Sequence, residues 1–213
     1  MPLEVIPAVL VKTRKELIER ITKVMPYVKT VHIDVMDGEF VSNTTVQLSD
    51  LSLLPKNVGY EFHWMVKNPE QWIEKAPKNA LHLVHVETIN NWHAVKEAVG
   101  KVNGKIGIVL NPETPVEKVL QFIGEVKRFL IMAVHPGFDG QRYLPEVKIK
   151  MRKLKQMDTS IEIEVDGGIT PTTARLAIGA CATIVAAASA IFSKHDSKDI
   201  KAIIIALKGE EIK

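Results

Sequence analysis

The chain is predicted to fold as an α/β protein, a single-domain (β/α)8 TIM barrel spanning residues 1–213. Three observations predict it. Eight short runs rich in Val and Ile alternate with longer stretches of helical spacing. The runs are largely apolar, as parallel strands buried on both faces require. No low-complexity linker or abrupt change of composition divides the chain, and 213 residues suffice for one sizeable core. An open doubly wound sheet usually announces itself with a Gly-rich first turn. Here the first strand runs into Val11-Lys12-Thr13 instead.

The predicted elements follow in order. The first strand covers 4–10, and Thr13-Arg14-Lys15-Glu16 reads as a capping box that opens a helix. Strands two and three cover 31–35 and 59–65, and Asn68-Pro69 sets a capping residue before a Pro whose missing N–H costs nothing there. Strands four and five cover 81–86 and 105–110, and Thr114-Pro115-Val116-Glu117 reads as a second capping box. Strand six covers 129–134. Beyond it Lys148, Lys150, Arg152, Lys153 and Lys155, interrupted by apolar residues, read as the solvated face of a helix. Strand seven covers 161–165 and leads to Thr170-Pro171. Strand eight covers 183–187, and Asp196 and Ser197 open the last helix.

Composition excludes several classes of function. A formal charge of +3 without an unbroken Lys/Arg run argues against a nucleic-acid partner. No stretch approaches the roughly 18 apolar residues of a membrane span, and MPLEVIPAVL lacks the pattern of a secretory leader. The lone Cys181 rules out an internal disulfide and, within the apolar run 180–188, reads as a buried, inert thiol. A soluble, cytoplasmic protein is expected.

Chemistry gathers at the C-terminal ends of the strands, where barrels place their active sites. Residues two apart on a strand face the same way, so His32, Asp34 and Met36 share a face that can be the lumen. Strand three brings His63 and strand seven brings Asp166. Two imidazoles and two carboxylates arriving from three strands suit one divalent metal ion such as Zn, Mn or Fe. A shared cation also removes the cost of burying these groups unpaired. His85 and Glu87 share a face of strand four, either as support for a ligand or as a satisfied core pair; His82 precedes them. His93 and His195 fall on helical or loop surface, and His135 lies near the mouth. Gly137, Phe138, Asp139 and Gly140 follow strand six, Gly167 and Gly168 follow strand seven, and Ala188 and Ser189 follow strand eight. Backbone amides of such adjacent loops make a phosphate site.

The segments HIDVMDGEFVSN, HWMVKNPE, GIVLNPETP, MAVHPGFDGQRY, VDGGI and SAIF, in this order, resemble the ribulose-phosphate 3-epimerase family over nearly the whole chain. The resemblance implies a metal held by His32, Asp34, His63 and Asp166, with Asp34 and Asp166 also the acid–base pair. It places Met36, Met65 and Met132 near the reacting carbons. It implies an isomerase of carbohydrate metabolism in the pentose phosphate pathway. The enzyme would invert C3 of D-ribulose 5-phosphate through an enediolate to give D-xylulose 5-phosphate. It also makes a homo-oligomer the expected assembly. Four positions depart from the family pattern: Ala8 for a Ser, Ser42 for a Pro, Asp139 for a Gly and Ala188 for a Gly. The metal and acid–base set is intact while the substrate-holding set is altered. This keeps open a different ketose, a hexulose 6-phosphate or an unphosphorylated sugar, and a sugar-phosphate-binding barrel without catalysis. A decarboxylase with Asp-x-Lys-x-x-Asp after a strand is disfavoured, because Asp34-Val35-Met36-Asp37 holds no Lys.

Overall fold

The computed structural model describes residues 3–192 and 197–209. Eight parallel strands close in chain order, each paired with the next and the last with the first. They are β1 (Glu4–Val9), β2 (Thr30–Met36), β3 (Gly59–Met65), β4 (Leu81–His85), β5 (Lys105–Leu110), β6 (Arg128–Met132), β7 (Glu162–Asp166) and β8 (Ile184–Ala187). The helices are α1 (Arg14–Val24), α2 (Pro69–Ile73), α3 (Trp92–Lys101), α4 (Lys148–Met157), α5 (Pro171–Ile178), α6 (Ser189–Phe192) and α7 (Ser197–Lys208). The expected (β/α)8 barrel is present. His195 and Asp196 lie outside the described residues.

The crossovers after β2 and β5 carry 3-10 turns, Leu48–Leu53 and Val116–Phe122, in place of α-helices. The second turn corrects a sequence expectation. Thr114 does not cap a helix; its hydroxyl donates to the Glu87 carboxylate, and Pro115 takes the N-cap position with no side-chain bond. At α1 the Thr13 oxygen accepts from the Glu16 amide at 3.3 Å, but Glu16 accepts from the Thr13 hydroxyl rather than reaching back to its backbone. At α5 Thr170 and Thr173 do form a reciprocal pair of side-chain-to-amide bonds.

Two packing zones follow from the period of two along each strand. Outward residues such as Val31, Ile33, Val35, Phe62 and Trp64 join the inner faces of the helices in one continuous core. In α1 that face is Leu17, Ile21 and Val24, spaced four and three apart. Inward residues fill the lumen unevenly. On the β4–β6 side it is aliphatic, with Leu83, Val109, Leu130 and Met132. On the side of β2, β3 and β7 it carries His32, Asp34, Glu61, His63 and Glu164, all buried. His82 points outward, accepts from the Trp64 indole at 3.0 Å, and is a core histidine.

Two surface expectations change. Lys150 is half-buried and donates to the carbonyls of Asn111, Pro112 and Thr114, so it pins the loop after β5 instead of belonging to a solvated face. Cys181 is exposed, not buried. The turn from α5 into β8 requires a left-handed residue there, with φ of 75°, and that conformation swings the thiol away from the core. No helix among the described residues is long and apolar enough to cross a membrane.

Candidate active site

Strand register builds the site. Asp34 on β2 lies directly beside His63 on β3, Met36 beside Met65, and Met132 on β6 beside Asp166 on β7. Thr45 crosses over the end of β2. Its hydroxyl donates to the Asp34 carbonyl at 2.8 Å and accepts from the Met36 amide at 2.9 Å, which fixes the strand where it delivers Asp34. Asp37 accepts from the Glu39, Phe40 and Lys67 amides and ties the loops after β2 and β3 together, away from the cluster.

The four expected ligand residues converge. Their donor atoms lie within 4.8 Å of one another. His63 Nδ1 is 2.9 Å from Asp34 Oδ1 and 4.0 Å from Asp166 Oδ2, and His32 Nε2 is 3.2 Å from Asp34 Oδ1. Metal–ligand bonds of roughly 2.0–2.2 Å bring donor atoms to separations of this order. The electrostatics also suit a cation. Burial and the charge of Asp34 push Asp166 up to about 7. Burial would raise Asp34 too, but its contacts with His32 and His63 override it and hold it below the usual carboxylate range. Burial lowers His63 to about 4, so it is a neutral imidazole with a lone pair to give. For His32, burial is outweighed by Asp34, Glu164 and Glu61, and its pKa is raised. A bound cation would take the place of the proton that these carboxylates attract to that ring. The residues present therefore fit a divalent metal.

Above the cluster opens a small cavity, about 40 Å³ in volume. Asp34 and Asp166 reach its floor, and Met36, Met65 and Met132 wall it. Gly137, Phe138, Asp139 and Gly140 overhang one side; Gly167, Gly168, Ala188 and Ser189 close the other. His32 and His63 lie below, fully buried. Gln141 donates to the carbonyls of His135 and Phe138, and Asn43 donates to that of Gly137, so the loop after β6 is held in shape. Its Phe138 is exposed. His135 pairs with Glu113 at 3.1 Å on the surface, and His93 is exposed.

Gly168 has a φ of +64°, and a Cβ there would stand 2.4 Å from the Tyr143 backbone nitrogen. Left-handed backbone costs a side chain roughly 1–2 kcal/mol and overpacking roughly 1–3 kcal/mol. Gly168→Ala is therefore expected to lose about 2–5 kcal/mol, or about 4–20 °C in Tm. A thermal melt within 2 °C of the parent, on the order of 1 kcal/mol or less, would show that the loop gives way freely.

His85 contacts His63. Its Nε2 is 2.8 Å from His63 Nε2, and its Nδ1 is 3.2 Å from Glu87 Oε2. If His63 offers Nδ1 to a metal, its Nε2 carries the proton, His85 accepts it, and His85 Nδ1–H donates to Glu87. Glu87 is held in turn by the Asn111 amide and the Thr114 hydroxyl. The pair holds the His63 ring from the side. Glu61 and Glu164 were missed by the sequence reading. Each sits two positions before a site residue on the same face, and that spacing was a usable signal. Glu61 Oε1 is 2.7 Å from His32 Nδ1.

Residues 4–192 match the model of the ribulose-phosphate 3 epimerase family. The cytoplasmic isoform of ribulose-phosphate 3-epimerase from Oryza sativa subsp. japonica is 34% identical, over 79% of this chain and 78% of that protein. The ribulose-phosphate 3-epimerase of Methanocaldococcus jannaschii is 35% identical, over 78% of this chain and 74% of that protein. Among solved structures, 3-keto-L-gulonate-6-phosphate decarboxylase from Vibrio cholerae superposes with a TM-score of 0.70 at 14% identity. It covers 98% of this chain and 97% of that one, and at that identity it speaks for the fold.

Proposed function

The chain belongs to the ribulose-phosphate 3-epimerase family and is an epimerase, an isomerase by class; from that premise we propose that it inverts C3 of a ketose phosphate, converting D-ribulose 5-phosphate to D-xylulose 5-phosphate. The observation that carries this reading is the meeting of Asp34 and Asp166 with His32 and His63 on the cavity floor. The two aspartates come from strands three steps apart around the closed barrel, so they can address opposite faces of one carbon. Asp34 removes the C3 proton from one face and leaves an enediolate. Asp166 returns a proton to the other face, and the roles exchange in the reverse direction. Positioned acid–base groups of this kind contribute roughly 10²–10⁴ in rate. His32, Asp34, His63 and Asp166 hold one divalent ion of Zn, Mn or Fe type, which supplies Lewis-acid stabilisation of the negative charge. The methionines shape an apolar wall that keeps water from the carbanion side. Backbone amides of Gly167, Gly168, Ala188 and Ser189 receive the phosphate. One closed barrel supports reading residues 1–213 as a single domain.

Proton NMR of ribulose 5-phosphate in D₂O with metal-replete protein tests the reading. The C3 proton signal is expected to disappear as xylulose 5-phosphate forms. A folded, metal-loaded protein that neither exchanges that proton nor makes the epimer would overturn it.

Asp139 favours a second reading of the substrate. It lines the cavity, while no Lys or Arg does so among the described residues. A carboxylate near the phosphate cup opposes a dianion and is kinder to a less charged ketose. One such charge across solvent is worth about 1 kcal/mol at low salt. Asp139→Asn is expected to lower KM for ribulose 5-phosphate by roughly two- to fivefold with kcat unchanged, an effect that shrinks at high salt. An unmoved KM at low salt would mean that the carboxylate does not face the substrate.

A further inference from the structure

We propose that Arg128 is a positioning residue: from the closed end of the barrel it fixes, through Glu61 and Glu164, the ring and tautomer of His32. This rests on the reading of His32 as a metal ligand. Arg128 opens β6 and points into the lumen beneath the site, with its side chain 15% exposed. Its stem passes Gly107 on β5, where a Cβ would stand 3.2 Å from Arg128 Cγ and 2.6 Å from Leu83. The sequence has left a slot at that strand position for this side chain.

The guanidinium meets three carboxylates. Nη1 donates to Glu164 Oε2 at 2.8 Å and to Glu61 Oε2 at 3.4 Å, and Nε donates to Glu162 Oε2 at 3.1 Å. Glu61 and Glu164 are fully buried, and each turns one oxygen down to Arg128 and the other up to His32 Nδ1. The upward distances are 2.7 Å from Glu61 Oε1 and 3.6 Å from Glu164 Oε1. Glu164 Oε1 is a buried oxygen with no hydrogen-bond partner among the described residues. The guanidinium favours the ionised form of both groups, and an ionised carboxylate oxygen accepts, so Nδ1 faces them as the donor. With the proton kept on Nδ1, the lone pair stays on Nε2, which faces Asp34 at 3.2 Å.

Two other roles are weaker. His32, Glu61 and Glu164 lie close enough to form a metal site of their own, but the guanidinium already occupies both carboxylates and repels a second cation. A purely structural ion cluster accounts for the salt bridges but not for the split of each carboxylate between Arg128 and the same His32 nitrogen. His63 has its own support from the side through His85 and Glu87. The two histidines are thus oriented by separate networks.

The test compares the parent with Arg128→Met and Arg128→Lys. Zn²⁺ affinity is read by competition with a chromophoric chelator, and ligand geometry by the visible spectrum of the Co²⁺-loaded protein. Loss of a residue that orients a metal ligand typically costs 10- to 100-fold in affinity. Arg128→Met is expected to bind Zn²⁺ about 10- to 100-fold more weakly with an altered Co²⁺ spectrum, and Arg128→Lys to recover most of the affinity. The double variant Arg128→Met with Glu164→Gln removes a cation and an anion together. It keeps the question answerable if the single variant does not fold, and it is expected to show the same loss. A folded variant with parental Zn²⁺ affinity and Co²⁺ spectrum would overturn the proposal, whatever its melting temperature. A parent that binds neither Zn²⁺ nor Co²⁺ would instead overturn the metal-site reading on which the proposal stands.

Discussion

Asp34→Asn and Asp166→Asn are each expected to lower epimerisation by about 10²–10⁴ in kcat at saturating metal, and to fail in opposite ways. Asparagine keeps the shape of aspartate and removes its capacity to take a proton. The side chains are 5% and 14% exposed, so bulk water is poorly placed to substitute. In D₂O, Asp166→Asn retains Asp34, which can still remove the C3 proton of ribulose 5-phosphate and return a deuteron to the same face. That variant should wash out the proton without forming the epimer. Asp34→Asn should do the converse, exchanging xylulose 5-phosphate and leaving ribulose 5-phosphate untouched. Both residues belong to the cluster proposed to hold the metal, so metal content must be measured in each sample. Exchange of both epimers by both variants at equal rates would show that one group, or water, serves both faces.

Chelation is expected to abolish turnover, to below about 1% of the loaded enzyme, with full recovery on adding back the right divalent ion. The loss should also be visible in stability. A ligand at about 1,000 times its Kd stabilises the folded state by roughly 4 kcal/mol, which for a chain of this size is about 8–16 °C in Tm. The observed drop should fall toward the lower end. Without the cation, Asp34, Glu61 and Glu164 still surround His32 and favour its protonated ring, so part of the lost attraction is recovered by a proton. Preparations with undetectable metal and undiminished turnover would remove the cation from the mechanism.

The period of two made the site legible. His32, Asp34 and Met36 could be placed on one face, and the same rule applied one step down would have reached Glu61 and Glu164. What stayed hidden depends on partners distant in sequence. Thr114 and Glu117 have capping-box spacing, yet the Thr114 hydroxyl is claimed by Glu87, 27 residues earlier in the chain. Lys150 has the spacing of a surface lysine, yet three carbonyls from the loop after β5 take its ammonium. Whether His85 meets His63 turns on which face β4 shows to the lumen, and closure of the barrel sets that face. Cys181 was misread because its apolar neighbours say nothing about φ.

That last feature has a practical side. The chain carries a single thiol, and the turn that exposes it precedes β8, at the end of the barrel opposite the one where Asp34 and Asp166 emerge. A thiol-reactive surface or bead will take hold of the protein by its underside alone. Every captured molecule then stands the same way up, with the mouth of the cavity turned toward the solution, and no residue has to be added to achieve it.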